Sequence, residues 1–528
     1  MFDTIIIGAG ITGTAVAHFI SKTALSVLVV EAKEDVAEGS TKANSAIVHA
    51  GYDAKPGTLK AKYNVEGNLM YPALAKQLGF PFLNNGSLIL CFDEKDRPDL
   101  EALYQRGIQN GVKGLEILER DQVLAMEPHI NPQVVAALHA PTGGITCPYE
   151  ACIALSESAA QNGVKFMFES PVTAIEKMEN GFRVTAGNQT IETRTIVNAA
   201  GLYADEIAKM AGGIERTIRP RKGEYMLFDK AAGTLATKTL FQLPTKMGKG
   251  ILVTPTVDGN LLMGPSAEDI EDKADTATTQ EGLDDVLSAA ALTMPDIPRR
   301  QLITQFSGLR AHDLAGDFFV GEDPEVKGLY HALGIESPGL TGAPAIGKEL
   351  AERIQKDLGA PDKVDWIAER KPIARFAHMT DEQRAKAAAE NPAYGKIICR
   401  CETVTQAEVE QAIDRTLGRV TIDGVKRRTR CGMGRCQGGF HASAHPAPPD
   451  RQQIFHPAAL RRSARSRFDH RYGGRTAHFC DSRGPRPPAS RSARRPSPRF
   501  LPRDGGNRGP RTPAARRTGP SQHRPATV

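Results

Sequence analysis

The sequence has no apolar run approaching the roughly 20 residues that a membrane-spanning helix needs. No leader is expected, because a run that reads as a strand begins at Asp3. A cytoplasmic location is the expectation. Eight cysteines among 528 residues, in a reducing compartment, do not read as a disulfide framework. Nor is there the broad basic bias that nucleic-acid binding requires. The net charge of +6 joins two unlike parts. From His441 to Val528 there are 19 Arg, 4 Asp and no Lys or Glu, a charge of +15, which leaves −9 for residues 1–440. The whole chain is 40% hydrophobic and 24% charged, the composition of a soluble enzyme with two or three domains.

What is present is organised around Met1–Asp53. Asp3-Thr4-Ile5-Ile6-Ile7 reads as a buried strand, and Gly8-Ala9-Gly10-Ile11-Thr12-Gly13 follows at once. A helical pattern (Ile11, Ala15, Phe19) leads to a second apolar run, Val27 to Val30, which closes on Glu31. In this setting Gly8 permits a tight turn, Gly10 leaves room for a pyrophosphate and Gly13 lets helix and strand pack closely. The helix start offers N–H groups to an anion, and Glu31 stands where a carboxylate takes the hydroxyls of an adenosine ribose. The pattern predicts a dinucleotide site without choosing between NAD and FAD.

Glu38-Gly39-Ser40-Thr41-Lys42-Ala43-Asn44-Ser45-Ala46-Ile47-Val48-His49-Ala50-Gly51-Tyr52-Asp53 resembles the segment after the second strand in flavoproteins of the D-amino-acid oxidase and glycerol-3-phosphate dehydrogenase superfamily. That resemblance implies FAD, with Thr41, Asn44 and Ser45 at its pyrophosphate and the His49-x-Gly51 step against the flavin ring. Thr195 to Gly201 resembles the second FAD-contact motif, which implies that Ala200 and Gly201 pass close to the pyrophosphate. By the same resemblance the backbone of Val172 meets the adenine. Gln305 to His312 carries Arg310, which matches the family's arginine for the anionic end of the substrate. A guanidinium fork suits carboxylate or phosphate equally. Gly328 to Thr341 resembles the closing motif, with Gly334, Gly339, Leu340 and Thr341 near the flavin. Lys55 to Lys62 also resembles L-2-hydroxyglutarate dehydrogenases, a sister group.

The expected fold class is α/β. A Rossmann-type FAD-binding domain (about 1–80, 140–215 and 300–358) combines with a mixed antiparallel-sheet substrate domain (about 81–139 and 216–299). A linker (359–392), a small helical module (393–441) and a disordered Arg/Pro-rich tail (442–528) follow. Helices are expected over 59–78, 149–161, 343–358 and 381–390, with two more across 97–125 around Gly111. Strands are expected at 86–92 and 164–168, a hairpin over 171–190, and antiparallel strands at 218–229 and 250–265. Cys91, Cys147 and Cys152 read as buried thiols. Lys246 and Lys249 read as solvated loop lysines.

Cys399-Arg400-Cys401, then Cys431 and Cys436, place four cysteines close together in sequence, which favours a metal site, with zinc as the competitor to iron. The segment resembles the small [2Fe–2S] domain named after bacterioferritin-associated ferredoxin, which is fused to the catalytic subunit of anaerobic glycerol-3-phosphate dehydrogenase. That family's ligands are a C-x-C pair and a later C-x4-C pair. Here His441 occupies the position of the last cysteine. Two ligand sets stay open: Cys399, Cys401, Cys431 and Cys436, or Cys399, Cys401, Cys436 and His441. A third outcome is that no cluster forms. After Phe440 lysine disappears and no apolar period survives, a change that fits a lost reading frame.

The resemblance implies an FAD-dependent dehydrogenase of a small anionic secondary alcohol, with glycerol 3-phosphate first. A 2-hydroxy acid such as L-2-hydroxyglutarate, or amine and amino-acid oxidation on the same fold, are the alternatives. A flavin-binding electron carrier is the non-enzymatic one. His49 is the first candidate base, with His312 and His331 behind it. Electrons would leave through the [2Fe–2S] module to a partner subunit or carrier, and peripheral membrane association through such a partner is compatible with the chain. No nucleic-acid partner is expected.

Overall fold

The computed structural model describes residues 1–244 and 250–439. Lys246, Lys249, His441 and the expected tail lie outside the described residues. Among those described, no helix is long and apolar enough to cross a membrane.

The strand Phe2–Ile7 is the centre of the first sheet. It runs parallel to Val27–Val30 on one side (Thr4 opposite Val27, Ile7 opposite Val30) and to Gln189–Asn198 on the other. Parallel neighbours need crossovers, so helices must cover the faces. The helix Ile11–Ile20 does this and is buried at every residue except Phe19. Ile5 and Ile6 are wholly buried beneath such cover. The hairpin Val172–Met178/Gly181–Ala186 extends the sheet beyond Gln189–Asn198, and Lys165–Met167 extends it beyond Val27–Val30.

The second sheet is built mainly from antiparallel pairs. Ile218–Phe228 pairs with Leu302–Asp313 along its whole length, and Leu261–Gly264, Leu252–Pro255 and Thr239–Gln242 continue outward to Ser87–Cys91 and Ala136–Ala140. Two expectations change here. Leu302–Asp313, grouped by sequence with the FAD-binding parts, belongs to this sheet. Residues 97–125 are not two helices: the helix Arg97–Gln109 is followed by the strand Glu116–Glu119 and the helix Arg120–Met126. Glu116-Ile117-Leu118-Glu119 pairs with Ala136–Ala140, and that long-range ladder overrides local preference.

The helix Leu59–Leu78 starts on the Thr58 hydroxyl, which accepts the Ala61 N–H at 3.2 Å. The helix Gly339–Leu358 begins four residues before its expected start, although Pro344 lies inside it. Pro344 has no N–H for the Leu340 carbonyl. The Tyr71 hydroxyl donates to that carbonyl instead, at 2.6 Å.

The C-terminal module is small. Ile397–Cys399 pairs with Val404–Thr405, and the helices Gln406–Arg415 and Ile422–Thr429 follow. Its buried apolar core is Cys399, Val404, Val409, Ala412, Val425 and Cys431. Such a core is too slight to stand alone. The module is seated on the second sheet by Arg430, which is 6% exposed and donates to Asp258 at 2.7 Å and to Glu402 at 2.9 Å. Lys230 adds a 3.0 Å contact to Glu402. Burial works against the Glu402 carboxylate, but Arg430 and Lys230 overcome it and hold the carboxyl below its usual range.

Arg430→Met should therefore cost about 3 kcal/mol or more, because it leaves buried carboxylates short of a partner. The pH dependence carries the same signature. A depressed carboxyl contributes stability that is full above its unfolded pKa of about 4.3 and is lost as pH falls through the folded value. The stability gap between the native chain and Glu402→Gln, measured by urea unfolding, should narrow below about pH 4.

Candidate active site and thiol cluster

Gly8 stands at φ +105°, and a Cβ on it would fall 2.5 Å from the Ala199 carbonyl oxygen. A Cβ on Gly13 would fall 2.0 Å from the Gly8 oxygen. Both positions require glycine. Gly10 differs, since a Cβ there would meet only the Thr41 hydroxyl, at 3.3 Å. It faces open space, as does Gly201 (φ +60°), where a Cβ would meet nothing. Ala200 and Gly201 follow the strand Gln189–Asn198 and lie beside the turn, for Gly8 packs on Ala199 and Ala200. Thr12 and Gly13 are in the first turn, where N–H groups have no intrahelical acceptor. Val172 opens the outer hairpin at a register shift and is half-buried.

Some expected FAD contacts have structural duties. The Glu31 carboxylate accepts the Ala9 N–H at 2.7 Å and the Lys33 N–H at 2.8 Å, fixing the turn to the end of Val27–Val30. The Thr41 hydroxyl accepts the Ile11 N–H at 2.9 Å and so caps the helix start. Asn44 is engaged locally: its amide donates to Thr41 O at 3.0 Å and its oxygen accepts the Ala46 N–H at 2.8 Å. That side chain shapes a turn rather than reaching for a ligand. Ser45 faces the second sheet, its hydroxyl 3.3 Å from Tyr225 Oη.

His49 is held through its backbone. Its N–H donates to Thr341 Oγ1 at 2.9 Å, and its carbonyl accepts the amides of Asn64 and Asn68 at 3.2 and 3.1 Å. Its ring lies 5.7 Å from that of Phe241. Gly339, Leu340 and Thr341 form the first turn of the long helix behind it, and Gly334 packs on Asp313. The second sheet meets this segment directly. Ser40 Oγ donates to Leu309 O at 2.5 Å, and Gly308 lies against the Ala43 backbone. Arg310 is thereby brought to the same region, and the bare backbone of Gly223 gives it space. Its Nη2 donates to Ser266 O at 2.7 Å, while its buried Nε has no partner among the described residues.

The histidines separate clearly. His312 Nδ1 lies 3.0 Å from Glu336, which also takes Lys60 Nζ at 2.7 Å. His331 is wholly buried in the first sheet, its Nε2 2.9 Å from Asp323 and its Nδ1 3.2 Å from the Asn198 amide. With both nitrogens engaged it cannot take a proton from a substrate. Burial pushes its pKa down, against the pull of Asp323. As a candidate base His331 is therefore withdrawn.

In the module, Cys399 Sγ lies 3.7 Å from Cys401 Sγ, which lies 3.5 Å from Cys436 Sγ. Cys431 is buried in the same cluster as Cys399, and the next residue, Gly432, donates its N–H to Cys399 Sγ at 3.5 Å. The Cys399 thiol and burial push the Cys431 thiol far up. Burial and the Cys436 and Cys399 thiols push Cys401 up to about 12. Thiols crowded in this way resist ionisation unless a metal supplies positive charge. Another convergence, Cys147, Glu150 and Asp258, has metal-type donors within 4.8 Å of one another. Its carboxylates are taken by Arg375 and Arg430, so it is an ion-pair knot.

The family described as FAD dependent oxidoreductase, DAO, matches residues 3–353. The chain belongs to this family. The BFD-like [2Fe-2S] binding domain matches residues 397–438 of the oxidoreductase. Glycerol 3-phosphate dehydrogenase of Caloramator mitchellensis is 46% identical over 447 residues, covering 83% of this chain and 92% of that protein. L-2-hydroxyglutarate dehydrogenase of Mus musculus is 30% identical over 278 residues, covering 49% and 60%. Dithionite-reduced L-alpha-glycerophosphate oxidase from Mycoplasma pneumoniae with FAD bound shares the fold at TM-score 0.67 and 32% identity, covering 70% of this chain and 99% of that one.

The residues fit both groups. Open backbone at Gly10 and Gly201, beside a helix start, is a cradle for a diphosphate. Four gathered thiols are the donor set of a [2Fe–2S] cluster. The set with Cys431 lies wholly within the described residues, whereas His441 lies outside them. Sequence reasoning missed the brace on His49, although Asn64 and Asn68, spaced i and i+4 on a helix, were a readable sign. Tyr225, stacked on Phe306 at 4.9 Å, had no such sign.

Gly10→Val should abolish FAD binding while leaving the fold intact by circular dichroism, because the side chain fills the cradle. A variant that recovers stoichiometric flavin shows that the pyrophosphate lies elsewhere. Cys431→Ala should remove iron and acid-labile sulfide, and His441→Ala should not.

Proposed function

We propose that the oxidoreductase is a dehydrogenase of a small anionic secondary alcohol, glycerol 3-phosphate in the first place. The observation that supports this is the contact of the Arg310-bearing strand with the Ser40–Ser45 segment that leads to His49, in a chain whose long alignment with a glycerol 3-phosphate dehydrogenase runs through most of its length. FAD held at the Gly8–Gly13 turn would supply the hydride acceptor for the carbinol carbon. The remaining work falls to side chains of the chain. Arg310, with Nε unpartnered and Nη2 anchored on Ser266, grips the phosphate. A ring nitrogen of His49 takes the hydroxyl proton, while Asn64, Asn68 and Thr341 keep its backbone still. His312, oriented by Glu336, is the second candidate for that proton. The helix start at Gly339–Thr341 favours negative charge near the flavin. A cluster held by the thiols of the module would supply the electron path to a partner subunit or carrier. No disulfide joins the described cysteines, which suits the cytoplasm.

Anaerobic stopped-flow reduction of the flavin tests this. Glycerol 3-phosphate should bleach it, whereas L-2-hydroxyglutarate and amino acids should be far slower; the reverse order would reassign the substrate. His49→Gln should slow reduction by about 10² to 10⁴. If His312→Gln does so instead, the base is His312. Arg310→Met should raise KM by about tenfold to a hundredfold at normal flavin content, the loss of a charge-assisted contact.

A further inference from the structure

Residues 32–39 link Glu31 to the segment that bears Thr41. On one side this loop touches the glycine turn, where Ala37 N–H donates to Ala9 O at 3.1 Å. The thiol-bearing module lies on the other side. Gly418 sits so close that a Cβ on it would fall 2.1 Å from the Glu34 carbonyl oxygen, and the Arg419 N–H donates to that oxygen at 2.8 Å. The Arg419 guanidinium bonds Glu34 and also Glu169, the latter at 3.0 Å. Asp35 is wholly buried and accepts Arg428 through both oxygens, at 2.6 and 2.9 Å, and Arg427 at 3.3 Å. Arg427 also bonds Glu38. Arg427 and Arg428 are each 5% exposed. Burial opposes the Asp35 carboxylate, yet Arg428 and Arg427 hold its carboxyl below the usual range.

These contacts converge on one loop, and both ends of that loop bond the glycine turn: Glu31 takes Ala9 N–H and Thr41 takes Ile11 N–H. Arg427 and Arg428 close the helix Ile422–Thr429, and Arg430 and Cys431 follow immediately. The helix that grips the loop thus runs directly into the thiol loop, so the two share one short stretch of chain.

We propose that the module is a working part of the FAD site, with Arg427 and Arg428 as positioning residues for the Glu31–Thr41 loop, so that FAD retention depends on an assembled cluster. This rests on the FAD and cluster reading above. The coupling is reciprocal, and a factor of about ten lies within the ordinary range for linked sites. Other contacts of the module supply the control. Arg435, on the same module, pairs with Asp229 on the second sheet with its side chain 71% exposed.

The test uses the full chain, with the FAD dissociation constant read by flavin fluorescence beside iron and sulfide content. Arg428→Gln should raise that constant about tenfold at normal iron content, and Arg428→Lys should recover part of the loss. Arg435→Gln should stay within about twofold of the native value. Should Arg428→Gln not accumulate, the pair Asp35→Asn with Arg428→Gln, which buries no lone charge, carries the same expectation. Cys399→Ser, which removes a cluster ligand without touching the loop, should also raise the constant. A folded Arg428→Gln or paired variant with native FAD affinity overturns the role of the arginines. An iron-free Cys399→Ser with native affinity overturns the dependence on the cluster. Native protein without iron would defeat the cluster reading itself, and Arg428→Gln would still decide the arginine clasp.

Discussion

One contact sets the frame: the Glu31 carboxylate accepting the Ala9 N–H at 2.7 Å. Burial pushes the Glu31 carboxyl up, and the Ala9 and Lys33 N–H groups oppose that shift. The bond ties the end of the Val27–Val30 strand to the turn that leaves Phe2–Ile7. The two strands are already in parallel register, so the turn has nowhere to drift. From this fixed point the chain runs round the loop and returns Thr41 to Ile11, which places everything downstream as far as His49.

The second sheet reaches the site by touching that returning segment rather than the strands beneath it. Ser40 bonds Leu309, Gly308 packs on Ala43 and Ser45 faces Tyr225. Arg310 and His49 come from opposite sides of this seam. Under the proposed function such a division suits an alcohol with an acid tail, with the proposed proton acceptor on one side and the proposed anchoring cation on the other. It also explains why Gly223 and Gly308 are bare, since neither the guanidinium nor the Ala43 backbone would fit beside a Cβ.

The legible parts of the sequence were those in which local chemistry decides. The turn Gly8–Gly13, the Thr58 cap and the helix behind it follow from neighbours in the chain, and the structure has them at the expected residues. The cysteine spacing likewise brought Cys399, Cys401, Cys431 and Cys436 together. What could not be read depends on distant partners. His331 looks like a base in a motif, yet Asp323 and Asn198 turn it into a brace. Leu302–Asp313 looks like part of the cofactor domain until Ile218–Phe228 is available to pair with it. Asp35 meets Arg428 across 393 positions, and no local pattern marks either residue.

The choice of arginine at the module's seam follows from the work a seam must do. Buried ion pairs add little net stability compared with a well-packed apolar contact, because desolvation offsets most of the attraction. An apolar face of similar size, however, tolerates sliding and rotation. A planar guanidinium engaging both oxygens of a buried carboxylate does not, since two parallel hydrogen bonds fix distance and angle together. Arg428 on Asp35 supplies that constraint, Gly418 against the Glu34 carbonyl sets the depth, and Arg430 between Asp258 and Glu402 fixes the far end. A module with a six-residue apolar core gains a single seating from three such points, where packing alone would leave several. The thiol loop begins one residue beyond Arg430, so the geometry fixed by these charges is passed directly to the residues that would hold iron.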